Sequence, residues 1–218
     1  PAIVSYLQAS QKLLMQGAFA DAESMARAAL GLTAELPEDQ RPELQIAAHT
    51  MIGSVLMQVQ GFTAEPVRRE FDIVLDLSSA QAALGPNTAP ALLGAHTHAI
   101  ISAQEARANR LGDIMDRMAD ALPHSPEAVE VRIVALAARN GTCFYQGRFA
   151  EQLECIGQIR PLYRLEKHAG MIARYGMDMF AAAQMFEGPT RAILGQTDRI
   201  PVLVDAPAAR RAAQPTPE

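Results

Sequence analysis

Five histidines, two cysteines and two lysines are the scarce reactive side chains of this 218-residue chain. Their spacing decides which chemistries are open to it. A phosphate-cradling loop needs glycines followed by the lysine that reaches the phosphates, as in GxxxxGK[ST]. Lys12 follows Gln11 and Lys167 follows Glu166, so the sequence contains no such loop. His96 and His98 stand two apart in GAHTHAI. On a helix that places them about 200° apart, and one metal cannot be chelated from a single face. His49 lies 47 residues earlier and could approach them across a stack of helices, which is the one arrangement that would allow a metal-dependent enzyme. No HExxH motif supports it, and no carboxylate stands three or four residues from His96 or His98. Packing or solvated histidines are the expectation, with no metal and no cofactor. Cys143 and Cys155 are twelve apart without a CxxC and read as buried structural thiols. No serine sits in a G-x-S-x-G elbow. The carboxylate pairs Glu65/Glu70 and Asp113/Asp116 read as solvated helix faces.

Composition narrows the remaining classes. Apolar residues make up 49% of the chain and charged residues 20%, which suits a globular protein with a real core. Nineteen basic against 24 acidic side chains give a net charge of −5, so no nucleic-acid footprint is expected. Arg68-Arg69 and Arg210-Arg211 are too small to change that. No apolar run approaches the length of about 18 residues needed to cross a bilayer. Two cysteines do not make a disulfide scaffold and point to a reducing, cytoplasmic setting.

The elements that must position any site are helices. Apolar side chains recur at helical spacing in Ile3, Leu7, Leu13 and Leu14, then in Ala22, Met25, Ala26, Ala29 and Leu30 between Phe19 and Thr33. Further helices are predicted over 43–60, 64–82, 89–103, 105–121, 126–146, 149–165 and 169–187. Ser125 is placed to cap a helix that Pro126 opens, and Pro42 to start another. Only 200–204 could be a strand. The missing initiator methionine and the start almost within a helix suggest a piece of something longer, with methionine removal ahead of Pro1 as the ordinary alternative.

Short turns between paired helices recur near positions 17, 61, 104, 147 and 188, giving spacings of 44, 43, 43 and 41 residues. A constant period of this size means stacked hairpins, none able to bury its apolar face alone. Gly17 with Phe19 and Gly147 with Phe149 carry the clearest turn, and Gly61 with Phe62 a weaker one. The glycine ends the first helix in a left-handed conformation and the aromatic fills the wedge behind it. The predicted fold is all-α, an antiparallel helix-pair solenoid of about four to five units. Residues 1–188 form the repeat domain, and the proline- and alanine-rich 189–218 form a tail or linker.

The first unit, LLMQGAFADAESMARAAL, resembles a tetratricopeptide repeat, with Gly17, Phe19, Ala22 and Ala29 at that family's turn glycine, aromatic and two small positions. In FYQGRFAEQLECI, Gly147 and Phe149 fit but Gln152 replaces the alanine. A wider likeness covers most of 3–187. Glu43 to Leu77, the segment around Gly147, and HAGMIARYGMDMFAAAQMF look like the C-terminal helical region of large bacterial signalling ATPases. In those proteins a predicted ATPase module precedes this region, often behind a class III adenylate or guanylate cyclase domain. The resemblance implies a non-catalytic regulatory region, because the catalytic parts are missing from this chain.

In such a stack the first helix of each pair lines the concave side. The phase of the turns assigns Leu7, Gln11 and Leu14 to that surface in unit one, and Thr50, Ser54 and Met57 in unit two. His98, then Ala137 and Phe144, then Tyr175, Asp178 and Met185 complete it. The expected partner is a protein, either a helix or a neighbouring domain of the same polypeptide. The expected function is a helical-repeat scaffold for protein–protein or intramolecular regulatory contacts in a bacterial signalling protein. A small-molecule effector in the same groove is the alternative.

Overall fold

A computed structural model describes residues 2–80, 88–122, 125–168, 170–175 and 177–199. All regular structure in them is helical. The first hairpin is α1 (Ala2–Met15) and α2 (Phe19–Leu32), followed by short 3-10 turns at Thr33–Glu35 and Glu38–Gln40. Three hairpins follow: α3 (Arg41–Gln60) with α4 (Glu65–Ala80), α5 (Ala89–Ile101) with α6 (Glu105–Ala121), and α7 (Pro126–Tyr145) with α8 (Phe149–Leu162). The chain then breaks into shorter pieces, α9 (Leu165–His168), α10 (Gly170–Tyr175), α11 (Met179–Met185) and α12 (Glu187–Ile193). The possible strand at 200–204 lies outside the described residues.

Helices pack in sequential pairs, and the first helices of successive pairs also touch in order, α1 on α3, α3 on α5, α5 on α7 and α7 on α11. This is the all-α helix-pair arrangement that the period implied. The helix ends show why. Ser125 is extended and its hydroxyl accepts from the Ala128 N–H, while Pro126 needs no partner at the first helical position. At the turns, Gly17 (φ +77°) and Gly147 (φ +73°) are left-handed. The N–H after each reaches back five residues, Ala18 to the Leu13 carbonyl and Arg148 to the Cys143 carbonyl, which closes the helix end.

The third turn falls where the sequence placed it, without a glycine, and the fifth departs from the expectation. At the third, Ala103 rather than a glycine takes the left-handed position (φ +55°), and the Gln104 N–H bonds the Ala99 carbonyl as in the other two. At the fifth there is no turn at 188, because α12 runs through it. The left-handed residue is Gly195 (φ +72°), with Gln196 bonding the Arg191 carbonyl. The single helix predicted over 169–187 is instead α10, α11 and the start of α12. Asp178 restarts the chain there by accepting from the Phe180 and Ala181 N–H groups at 2.9 and 3.0 Å.

The core is continuous along the stack. Its centre is α5, which buries Ala91, Leu92, Leu93, Ala95, His96, His98 and Ala99 on all sides. Phe71 of α4 is 1% exposed, and its ring reaches α3 at Gly53 and α5 at Gly94. A methyl group at Gly53 would stand 2.7 Å from its ring, and one at Gly94 would stand 2.3 Å away. That approach needs glycine on both neighbours.

Candidate functional site

A cleft of about 1220 Å³ is walled by α1, α3, the start of α5 and α10. Its position follows from the break after α8. The short helix α10 reaches α5, and from there it faces α1 and α3 across the cleft. Leu7 and Leu14 come from α1, Met51 and Met57 from α3, and Ile172 and Tyr175 from α10. Polar side chains are present but mostly satisfied locally. The Thr50 hydroxyl donates to the Ile46 carbonyl at 2.7 Å and that of Ser54 to the Thr50 carbonyl at 2.9 Å. Both leave the cleft lined mainly by apolar atoms. Asp39 and Glu43 stand at one rim, while Arg174 at another donates to Glu130 at 2.6 Å.

Of the residues assigned to the concave surface, Leu7, Gln11, Leu14, Thr50, Ser54, Met57 and Tyr175 line this cleft. The structure does not bring the other five to it. His98 is buried on the far side of α5, among Arg68, Asp72 and Arg107. Ala137 is half-buried against the core. Phe144 stacks at 4.7 Å on Phe186, beside Tyr145 and Phe149. Met185 is exposed, and Asp178 is occupied as the cap of α11. The turn phase placed these residues on the first helices, but it carried no information about how α10 folds back. Ile172 was missed for that reason; Leu44, Met51 and the rim carboxylates lie on or beside α3, where only the stripe of Thr50, Ser54 and Met57 was assigned. Their signal in the sequence is only an apolar stripe.

The histidines are separated by the helix geometry that the two-residue spacing required. The Thr142 hydroxyl donates to the Ala138 carbonyl at 3.2 Å, so His96 donates to it from Nε2 at 2.8 Å. Burial holds His96 neutral and pushes its pKa down to about 4. His98 points the opposite way. Burial lowers its pKa, and the Arg107 and Arg68 charges add to that. His49 donates from Nδ1 to Glu70 at 2.6 Å. Glu70 is therefore half of a buried pair and not part of a solvated face, which corrects the reading of Glu65/Glu70. Glu65 does lie on the surface, paired with Arg68. Asp116 pairs with Arg139 and Arg132. Among the described residues no three His, Cys, Asp or Glu side chains converge on a metal position.

Cys143 and Cys155 are both buried thiols, facing each other across α7 and α8. The hydrogen bond from Cys155 lowers the Cys143 thiol and raises its own. A second buried polar contact lies beside them. Gln152 of α8, at the position where alanine was expected, donates from Nε2 to Asn140 of α7 at 2.6 Å. In the first hairpin the same slots hold Ala22 and Ser10, and the serine hydroxyl donates to the Ala22 carbonyl at 2.7 Å.

Among the described residues no helix is long and apolar enough to cross a membrane. Compared with protein-family models, curated proteins and solved structures, the chain has no match.

Proposed function

We propose that this chain is a non-catalytic helical-repeat scaffold whose cleft between α1, α3 and α10 receives an amphipathic helix, from a partner protein or from a neighbouring domain of its own polypeptide. The carrying observation is the cleft itself. At about 1220 Å³ it exceeds the 300–1,000 Å³ usual for small-molecule sites. Its lining of leucine, isoleucine and methionine offers apolar contacts with few directed hydrogen bonds, which is what helix-in-groove recognition uses. The resemblance of 3–187 to the helical region of bacterial signalling ATPases, and of the first unit to a tetratricopeptide repeat, supports a regulatory contact in a bacterial, cytoplasmic signalling protein. Site-specific photo-crosslinkers in place of Leu14 and Met51, with Glu154 as an exposed control, test the reading in cells. Discrete polypeptide adducts at the two cleft positions alone support it; the same adducts at all three positions, or none, remove it.

One observation favours a small-molecule effector as the second reading. Tyr175 is buried on the cleft wall with its hydroxyl lacking a well-formed hydrogen bond among the described residues, and burial raises its pKa to about 12. Such a phenol becomes a polar anchor for a ligand that displaces the neighbouring Arg174 side chain. A thermal-shift screen separates the readings, because an effector at 100 times its Kd adds about 2.7 kcal/mol of stability. Tyr175→Phe should abolish that gain if the phenol is the anchor.

A further inference from the structure

The cleft between α1 and α3 has two unlike ends. Val59, near the end of α3, lies beside Gly17, Ala18 and Phe19, just past the end of α1, so the two helices run in the same direction. Met15, Phe19 and Met57 line the cleft where the helices finish. Val4, Asp39 and Glu43 line it where they begin. The charged side chains of the lining are Asp39, Glu43 and Arg174. Arg174 is engaged by Glu130, to which it donates at 2.6 Å. Asp39 and Glu43 are exposed, and neither is in an ion pair among the described residues. Arg41, between them in sequence, does not line the cleft, and its Nε donates to the Leu36 carbonyl at 2.7 Å. One end therefore carries uncompensated negative charge, and the rest presents mainly apolar atoms. On the α1 wall Val4 and Met15 are 47% and 63% exposed. The same walls set a length. At 1.5 Å per residue the lining extends about 17 Å along α1, from Val4 to Met15, and about 22 Å along α3, from Glu43 to Gln58. A helix of about 11–15 residues spans that distance.

We infer that the partner is a separate protein presenting an amphipathic helix of this length, its apolar face on Leu7, Leu14, Met51 and Met57 and its lysine- or arginine-bearing end over Asp39 and Glu43. This rests on the reading of the cleft as a helix-binding groove and adds the sign and position of the partner's charge. Charge complementarity selects among helices that all bring an apolar face. It also disfavours a second copy of this chain. Each copy carries a net charge of −5, and its Arg68-Arg69 pair is already engaged, Arg68 by Glu65 and Asp72 and Arg69 by Glu65. The chain's other basic pair, Arg210-Arg211, stands among alanines between Pro207 and Pro215, without the large apolar side chains that would fill the groove.

Fluorescence anisotropy with the full chain and three labelled, hydrocarbon-stapled helical peptides of about 14 residues tests this. The peptides share one leucine–methionine face and differ only in bearing lysines, glutamines or glutamates at one end. The lysine peptide should bind at least about tenfold tighter than the glutamate peptide at about 50 mM salt, with the gap closing toward about 500 mM. Asp39→Lys with Glu43→Lys should reverse the order. Glu154→Lys with Glu166→Lys makes the same change in net charge at exposed positions away from the cleft and should leave the order intact. Equal affinities for the three peptides, or an equal effect of the two double variants, overturn the inference and leave the groove standing. Leu14→Asp should abolish binding of all three, and binding that survives it lies elsewhere and overturns the inference. If the native chain binds none of them, the groove reading itself falls. A synthetic peptide of residues 200–218 that binds as tightly as the lysine peptide would assign the cleft to this chain's own segment and overturn the separate partner.

Discussion

Where α3 and α4 meet the next first-layer helix, α5, the space is filled by the Phe71 ring lying on Gly53 and Gly94. Where α7 and α8 meet α11, it is filled by amides. Asn140 accepts from Gln152 at 2.6 Å and its Nδ2 stands 3.4 Å from the Ala183 carbonyl. Both junctions are fully buried and both tie one hairpin to the next. The apolar junction gains from area and shape, and it tolerates no added atom. The amide junction gains little net energy from each bond but costs heavily if one partner is lost. Repeats in one array can thus share a backbone plan and yet respond to substitution in opposite ways.

The largest effect should come from the apolar side. Phe71→Ala removes a ring that the glycines on either side cannot replace, and should cost about 3–5 kcal/mol in urea denaturation. Gly94→Ala should cost about 1–3 kcal/mol by overpacking. In a Phe71→Leu background that second cost should shrink, since the ring is what the new methyl strikes. Additive losses would mean the contact does not govern the junction.

On the amide side, Asn140→Leu strands the buried Gln152 side chain and should cost about 1–3 kcal/mol. The paired change Asn140→Leu with Gln152→Leu should recover most of that loss. A double change as damaging as the two single losses combined would show that the amides do not act as a pair.

Between the junctions, His96 joins α5 to Thr142 of α7. Its folded pKa of about 4 lies below the ordinary value of 6.5, so the unfolded chain binds the proton more readily in that window. Stability is complete above about pH 6.5 and erodes as pH falls toward 4, by up to about 1.4 kcal/mol per pH unit. His96→Gln should flatten this acid limb without changing stability at pH 8 by a comparable amount. Melting curves from pH 4 to 8 would show it.

The sequence made the repeat legible because turns are local: Gly17, Gly147, Ser125 and Pro126 announce themselves by type. It made the opposed directions of His96 and His98 legible because helix geometry fixes them. Phe71 was not legible. Counted from the start of its helix, which the longer second turn sets two residues later than in the other units, the slot holds Met25 in the first unit, Leu111 in the third and Cys155 in the fourth, so only an ordinary apolar stripe marks it and nothing announces the ring. Gln152 read as a departure from a pattern, and only the position of Asn140 across the hairpin explains it. The cleft was half legible. Its α1 and α3 walls follow from phase, whereas the α10 wall depends on a fold-back near Tyr175 that no local spacing encodes.

The smallest effect compares the turns that close the two regions. Ala103 ends α5 in the left-handed conformation that Gly147 supplies at the end of α7. For a side chain bearing a Cβ this conformation costs on the order of 1 kcal/mol, and the hydrogen bond from Gln104 to the Ala99 carbonyl at 2.8 Å holds it there. Ala103→Gly relieves that strain but frees the unfolded chain, an opposing term of about 0.4–1 kcal/mol. The net gain should therefore be small, a few tenths of a kcal/mol. Gly147→Ala runs the same two opposed terms in reverse: it adds the strain and recovers the entropy, for a small net loss. The informative quantity is the sign difference between the two substitutions in urea midpoints measured side by side. If Ala103→Gly destabilises, the left-handed turn at Ala103 is not strained, and the third hairpin is closed as comfortably by alanine as the fourth is by glycine.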